Sequence, residues 1–200
     1  MAGSRAARKL ATRERVLSAA RDLFDEVGYE LATIRAIAAR AGVSVGSVFT
    51  TFSCKAEILS QVMLDRLDGL YAELDAVLPH LRGSVADRLR SIMAIHYNVE
   101  MRRPRLFAAF VASSFTDFDE KIVVPFGRNE RLRAMLRDVL IDGVKSGAVR
   151  PTADIDLFLD TLLAAYGFNY RLAVQENADA QALTALMDRQ IGLLVDGVRA

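Results

Sequence analysis

The clearest chemical pattern in the chain lies between Thr33 and Phe52, in the segment TIRAIAARAGVSVGSVFTTF. Hydroxyl side chains and two glycines stand there among small apolar residues, and Lys55 follows shortly after. Small side chains let a backbone come close to DNA, and hydroxyl groups can reach phosphates or base edges. A lysine at this distance is a candidate phosphate ligand. The alternative is a tight corner between helices, where small residues only permit close packing.

The elements that must position these residues are two short helices. Thr33 is predicted to cap the first and Ser44 the second, which ends near Thr51. Gly42 permits the positive φ that a tight turn between them requires. This arrangement predicts a helix-turn-helix, in which the second helix enters the major groove of DNA. A helical wheel turns Gly46, Ser47 and Thr50 outward, Phe49 and Thr51 to the flanks, and Val45 nearer the inner side.

Apolar residues recur at helical spacing along almost the whole chain, and no window shows strand alternation. We therefore predict an all-α fold of about nine helices with a division near residue 52. The first ten residues or so are expected to form a disordered arm. The predicted helices cover residues 12–28, 33–41, 44–51, 53–78, 84–101, 104–114, 121–146, 153–174 and 179–198.

Composition narrows the class of protein. Hydrophobic residues make up 52% of the chain, which predicts a subunit interface, a ligand cavity or both. The single cysteine, Cys54, excludes a disulfide framework and favours a cytoplasmic location. No apolar run approaches the roughly 18 residues of a membrane span, and the charged N-terminus lacks a signal sequence. Residues 1–55 hold nine basic and five acidic side chains, a balance that favours a DNA-binding head.

The string ATIRAIAARAGVSVGSVFTTFSCKAEIL resembles the N-terminal domain of the tetracycline-repressor (TetR) family of bacterial regulators. Its family pattern is T-x-x-x-I-A-x-x-A-G-V-S-x-G-[ST]-[LIV]-[YF]-x-[HY]-F-x-x-K-x-x-[IL]. Two residues depart from the usual ones: Phe49 replaces a tyrosine, and Thr51 replaces a histidine or tyrosine. Phe49 lacks a hydroxyl that could donate to a phosphate, and Thr51 is a shorter donor; each lost phosphate contact would weaken binding to all DNA sequences alike. The remaining matches are Thr33, Ile37, Ala38, Ala41, Gly42, Val43, Ser44, Gly46, Ser47, Val48, Phe52, Lys55 and Ile58.

The resemblance implies a homodimeric transcriptional regulator, more often a repressor, that binds a pseudo-palindromic operator in double-stranded DNA. Residues 1–52 would form the helix-turn-helix domain and residues 53–200 a helical domain for ligand binding and dimerisation. Arg40 and the N-terminal Arg5, Arg8 and Lys9 are expected to add phosphate contacts. The predicted DNA-binding residues are Thr33, Arg35, Ser44, Val45, Gly46, Ser47, Phe49, Thr50, Thr51 and Lys55.

A ligand cavity within the fourth to eighth helices is also implied, and it predicts a small apolar or aromatic effector. The predicted lining residues are His96, Tyr97, Met101, Phe107, Phe110, Tyr166 and Asn169, with His96 or Asn169 orienting the ligand. The family pairs its last two helices with those of a second subunit in a four-helix bundle. The predicted dimer contacts are Leu162, Leu183, Leu186, Met187, Ile191 and Leu194.

Other chemistries find little support in the sequence. His96 and Glu100 lie one helical turn apart, but a metal site would need further ligands at helical spacing, so we predict none. The chain lacks G-x-S-x-G, H-E-x-x-H, P-loop and dinucleotide glycine motifs, so we predict neither an enzyme nor a cofactor. Cys54 is either a redox sensor near a helix N-terminus or a tolerated small residue. Two other functions stay open: a small-molecule-binding dimer with a weak or vestigial DNA-binding head, and a helical enzyme that uses the same cavity.

Overall fold

A computed structural model of the chain describes residues 2–116 and 126–200. These residues form α-helices, one 3-10 turn and an isolated bridge between Val149 and Arg199, so the predicted all-α fold is confirmed. In the same ranges, no helix is long and apolar enough to cross a membrane. The helices are α1 (Ala2–Val27), α2 (Ile34–Arg40), α3 (Val45–Phe49), α4 (Lys55–Val77), α5 (Val85–Glu100), α6 (Pro104–Thr116), α7 (Glu130–Lys145), α8 (Ile155–Gln175) and α9 (Ala180–Asp196); the 3-10 turn spans Leu78–His80.

Two helix boundaries differ from the sequence prediction by more than three residues. Helix α1 begins at Ala2 rather than near Thr12, so residues 2–10 are helical where we expected a disordered arm; the segment is rich in Ala, Arg and Lys, which favour helices. Helix α7 begins only at Glu130, because the Asn129 side chain accepts the Leu132 amide at 3.1 Å and caps the helix there. Residues 121–125 of the predicted helix 121–146 lie outside the described residues.

Within the described ranges, the first of two compact units comprises residues 2–68 and 105–116. Helices α1, α2 and α3 pack on one another there and bury Val16, Phe24, Ile37 and Val48. Polar contacts join α1 to the first half of α4: the Arg13 guanidinium donates to Gln61 at 2.5 Å, and a second pair joins Arg21 and Asp65 at 3.7 Å. The first unit therefore extends past the division expected near residue 52, to residue 68, and also includes residues 105–116.

The second unit comprises residues 69–104 and 126–200. Four of its helices form a closed ring of neighbours, in which α5 packs on α7 and α9, and α8 packs on the same two helices. Their facing apolar side chains form the core, because each helix places a buried stripe toward the others. The fully buried side chains of this ring include Leu89, Ile92, Met93, Leu136, Leu159, Leu162, Leu183, Met187 and Ile191.

Candidate nucleic-acid interface and buried polar cluster

The turn between α2 and α3 has the geometry that its sequence predicts. Gly42 adopts a φ of 64°, the left-handed conformation that glycine accepts without strain. Its amide bonds to the Ala39 carbonyl at 3.2 Å, and the Val43 amide bonds to the Ala38 carbonyl at 3.0 Å. This pair of bonds is a Schellman motif, which satisfies the last carbonyls of α2 and turns the chain into α3. The helix-turn-helix is thus a product of local hydrogen bonds.

Hydroxyl side chains cap both short helices. Thr33 accepts the Ala36 amide at 3.1 Å, and Ser44 accepts the Ser47 amide at 3.1 Å. The Ser44 and Ser47 hydroxyls also bond to each other at 2.9 Å. Thr50 donates its hydroxyl to the Gly46 carbonyl at 2.7 Å, and Thr51 donates to the Ser47 carbonyl at 3.1 Å. The hydroxyls that the sequence assigned to DNA therefore have partners within the helix that carries them.

The exposed face of α3 is apolar as well as small. Val48 is fully buried and anchors the helix, whereas Phe49 is 52% exposed and Val45 is 39% exposed. The helical wheel had placed Val45 nearer the inner side, but α3 is too short to bury more than one of its apolar residues. Gly46 and Thr50 are exposed on the same helix, as expected, while Ser47 and Thr51 are half-buried.

The basic residues near this face differ in what they contact. The Lys55 ammonium bonds to the Tyr29 carbonyl at 2.9 Å and the Glu30 carbonyl at 3.4 Å, and it lies 4.2 Å from the centroid of the Tyr29 ring. Lys55 therefore links the start of α4 to the connection between α1 and α2. The sequence predicted instead that Lys55 binds a phosphate. Arg40 forms a two-pronged pair with Glu26 at 2.6 and 2.8 Å, and this hydrogen-bonded pair lowers the pKa of Glu26.

Arg35, in contrast, is exposed on α2, and no hydrogen bond or ion pair involves it within the described residues. Lys9 is likewise exposed on α1. A guanidinium with this freedom is the kind of group that binds a phosphate. Among the basic residues predicted to contact DNA, Arg35 has the surroundings that best suit a phosphate contact.

A second group of predicted residues is buried in the second unit. His96 is 1% exposed and has edge-on ring contacts with Tyr71 and Tyr166, whose centroids lie 6.0 and 5.9 Å away. Burial lowers the pKa of His96 to about 4, so its imidazole is neutral near pH 7. Its Nε2 atom has no hydrogen-bond partner among the described residues. A buried polar atom in this state is a candidate for contact with a ligand.

Asn169 and Tyr97 lie at the centre of a hydrogen-bond network that joins three helices. The Asn169 amide donates to the Tyr97 hydroxyl at 3.1 Å and to Gln190 at 2.8 Å, and Gln190 donates back at 3.2 Å. The Tyr97 hydroxyl in turn contacts the Tyr166 carbonyl at 3.4 Å. Burial raises the pKa of Tyr97 well above its usual range. The Asn169 amide is therefore already hydrogen-bonded within the protein, which weakens the prediction that Asn169 orients a ligand.

The other predicted pocket residues are more scattered. Met101 is half-buried at the end of α5. Phe107 and Phe110 are buried on α6, where their ring centroids lie 6.3 Å apart, but they belong to the first compact unit. Sequence reasoning missed three residues of the buried cluster: Tyr71, Tyr170 and Gln190. Only Tyr170 had a signal, because it follows Tyr166 by one helical turn, and the two hydroxyls lie 3.0 Å apart.

Four of the six predicted dimer contacts are buried within their own unit, and the other two stay a prediction. Leu162, Leu183, Met187 and Ile191 are fully buried within the chain, and Leu186 and Leu194 are half-buried. The apolar stripes of α8 and α9 cover the core of their own unit and are not free for a second copy. The exposed apolar residues on these helices are instead Leu157 at 62%, Phe168 at 63% and Leu193 at 76%.

Comparison with known proteins agrees with the helix-turn-helix geometry of α2 and α3. Residues 16–62 match the profile described as bacterial regulatory proteins, tetR family. The chain is 29% identical over 146 residues to the HTH-type transcriptional repressor KstR2 of Mycolicibacterium smegmatis, which covers 72% of this chain and 71% of that protein.

Solved structures extend the likeness to the whole fold. FadR of Thermus thermophilus, a TetR-family repressor crystallised with lauroyl-CoA, has a TM-score of 0.76 at 22% identity over 94% of this chain and 95% of FadR. A transcriptional regulator from a Rhodococcus species has a TM-score of 0.65 at 28% identity over 94% of this chain and 98% of that one. Residues 16–62 of this chain form a domain of the tetR family of bacterial regulatory proteins, and the chain is a DNA-binding transcriptional regulator.

Proposed function

We propose that the protein is a homodimeric repressor that leaves a pseudo-palindromic operator when a small apolar or aromatic ligand binds. The observation that carries this proposal is the pair α2–α3, joined by the Gly42 turn, which presents an exposed face on its second helix. Two such helices in a dimer read two half-sites about 34–36 Å apart, or a multiple of that distance. The repressors among its relatives support the sign of regulation.

Dimerisation is supported by the exposed apolar side of α8. Leu157, Thr161, Ala164 and Phe168 follow at steps of four, three and four residues, so they lie along one side of the helix. All four are exposed, and Phe168 has the Arg171 guanidinium 4.5 Å from its ring centroid. Large exposed apolar side chains such as Leu157 and Phe168 on one side of a helix are typical of a subunit interface.

Sedimentation velocity of the full chain tests this interface. We expect Phe168→Glu to convert a dimer to a monomer, because the substitution places a charge in an apolar interface, at a desolvation cost that a pair with the neighbouring Arg171 does not offset. Leu31→Glu is the matched control: Leu31 is 75% exposed in the connection between α1 and α2, and its substitution should leave the dimer intact. A Phe168→Glu protein that still sediments as a dimer at the same concentration contradicts the proposed face.

The buried cluster around His96 supports a ligand of limited polarity. Its surroundings are aromatic rings, and its neutral imidazole suits a carbonyl or hydroxyl group rather than a carboxylate. The acyl part of the lauroyl-CoA bound by the Thermus relative is an apolar chain ending in a thioester carbonyl and suits these surroundings, whereas its coenzyme A part is charged; lauroyl-CoA is therefore the first compound to test. Coupling between ligand and operator of about 1–3 kcal/mol would lower DNA affinity by about 5- to 150-fold.

Selection of DNA from a random pool by the purified protein tests the regulator itself. An inverted repeat is expected, and its release by lauroyl-CoA, with free coenzyme A as control, would identify the class of ligand. Failure to enrich any sequence at low salt favours a ligand-binding dimer with a vestigial head. Turnover of a bound compound, detected by mass spectrometry, favours a helical enzyme.

A further inference from the structure

The exposed face of α3 lacks the side chains that usually distinguish bases by hydrogen bonding. From Val43 to Phe52 the chain contains no Arg, Lys, Asn, Gln, Asp, Glu or His. Bidentate recognition of guanine uses Arg or Lys, and that of adenine uses Asn or Gln. Neither kind of readout is available from this helix.

The hydroxyl groups on α3 do not replace the missing donors. A hydroxyl has a single proton, and those of Thr50 and Thr51 are donated to the Gly46 and Ser47 carbonyls. Ser44 and Ser47 bond to each other at 2.9 Å, and Ser44 also accepts the amide that begins the helix. Only one proton remains free, that of whichever hydroxyl accepts in the Ser44–Ser47 bond, and a single donor does not give bidentate recognition of a base.

Two apolar side chains remain on this face. Val45 and Phe49 are four residues apart, so they lie on one side of α3, and they are 39% and 52% exposed. Val45 is the first residue of the helix, and the N-terminal residues of a recognition helix are those that contact base edges. The matching apolar feature of the major groove is the C5-methyl group of thymine.

We propose that Val45 and Phe49 read thymine methyl groups, so that this protein selects A·T pairs in each half-site by apolar contact. The inference rests on the proposed binding of an operator by α3. The neighbouring Gly46 adds no side chain and lets the helix approach the groove closely. Arg35 and other basic groups would hold the register on the phosphates without choosing the base.

Replacement of thymine by uracil tests the proposal directly, because uracil keeps the pairing and the O4 acceptor and lacks only the methyl group. The operator recovered from the random pool is synthesised with one uracil at a time, and affinity is measured by fluorescence anisotropy at fixed salt. We expect about four-fold weaker binding at one or two positions of each half-site, the effect of removing one buried methyl-sized group.

A double-mutant cycle assigns the contact to a residue. Val45→Ala should weaken binding to the thymine operator and remove the uracil effect at one position, because the partner of that methyl is gone. Val27→Ala is the matched control: Val27 is 44% exposed at the last residue of α1, outside the helix-turn-helix. It should keep the full uracil effect. Phe49→Ala should act in the same way as Val45→Ala at a second position.

The outcomes separate the inference from the proposed function. If a sequence is selected but no uracil substitution changes affinity, or the half-site has no A·T pair, the methyl readout is overturned and the regulator stands. If the uracil effect survives in both Val45→Ala and Phe49→Ala, the methyl is read by other residues and the assignment is overturned. If no sequence is enriched, the proposed operator binding fails and the inference fails with it.

Discussion

In the first compact unit, the hydroxyls of Ser44, Thr50 and Thr51 bond to groups three or four residues away along the chain. In the second unit, the Asn169 amide donates to the hydroxyl of Tyr97, which lies 72 residues earlier, and to Gln190 on another helix. The first unit keeps these polar groups at its surface and exposes Val45 and Phe49, whereas the second buries polar groups beneath its apolar residues.

This difference sets where stability depends on a single side chain. A hydroxyl at the surface can exchange its helix partner for water, so its loss has a small effect. A buried polar group has no such substitute, and its loss leaves partners unpaired in a medium of low polarity. We therefore expect large effects of substitution in the second unit and small ones in the first.

The largest effect is expected from His96. Because burial lowers its pKa from 6.5 to about 4, the unfolded chain binds a proton below about pH 6.5 that the folded chain takes up only near pH 4. The free energy of unfolding should therefore fall as pH drops through this window, by about 3 kcal/mol in total from this group. Urea unfolding at pH 7.5 and pH 5 should record about 2 kcal/mol of this change, because pH 5 lies about 1.5 units below the unfolded pKa.

His96→Gln should remove most of this pH dependence, and His80→Gln, on the exposed 3-10 turn, should keep it. Glu100 on the same helix is present in all three proteins, and burial raises the pKa of Tyr166, which contacts His96, so that this tyrosine stays neutral in this range. The pKa of Asp142 and that of Asp156 are lowered by hydrogen bonds to Arg88 and Arg137, so their contributions are lost only at lower pH. Equal pH dependence in His96→Gln and the wild type would falsify the buried neutral imidazole.

Asn169→Leu should have the next largest effect. It leaves the Gln190 amide without a partner at 2.8 Å and the Tyr97 hydroxyl without its donor, which predicts a loss of about 2 kcal/mol in urea unfolding. Asn98→Leu, on the exposed side of α5, is the matched control and should change stability by less than about 0.5 kcal/mol. The double variant with Gln190→Leu should lose less than the two single losses added together.

The sequence predicts the first unit better than the second for the same physical reason. The Gly42 turn and the caps at Thr33 and Ser44 depend on residues within six positions of one another, so a short pattern contains nearly all the information. The helical wheel placed Val45 nearer the inner side, but Val45 is exposed. Which residues of a five-residue helix are buried depends on the elements on which it packs.

In the second unit, helical periodicity gives the helices but not which apolar residues face the core and which face a partner. The stripe of Leu183, Met187 and Ile191 was assigned to a dimer, yet it is fully buried against its own unit. Phe168 and Leu193 look unremarkable in the sequence and are the exposed ones. The contacts of Asn169 follow from how three helices meet, which no local pattern specifies.

Substitution of Lys55 tests whether a polar side chain of the first unit contributes to stability as the buried polar side chains of the second unit do. Lys55→Met removes two bonds to carbonyls and the contact with the Tyr29 ring, so we expect a loss of about 1 kcal/mol in stability. The dependence of operator affinity on salt should stay the same. Arg35→Met should give the reverse result: unchanged stability and a salt slope lower by about 0.9. A lower salt slope in Lys55→Met with unchanged stability would restore its role as a phosphate ligand.

The smallest effect is expected at Cys54, which holds the position before the first residue of α4. Its sulfur accepts the Glu57 amide at 3.4 Å, while the Ser53 hydroxyl, predicted to begin this helix, donates instead to the Glu57 carboxylate at 2.7 Å. Sulfur is a weak acceptor, and serine is among the strongest capping residues. Cys54→Ser should therefore raise the free energy of unfolding by about 0.5 kcal/mol, and Cys54→Ala should lower it by a similar amount.

Thermal unfolding of the two variants beside the wild type measures the difference under one set of conditions. The order Ser, Cys, Ala from most to least stable indicates that the side chain acts as a cap. If the alanine variant equals the serine variant, the 3.4 Å contact contributes nothing, and the start of α4 depends on Ser53 and Glu57 alone. In either case the change should stay well below that at Asn169, because water can replace a cap at a half-exposed helix end and cannot reach a buried amide.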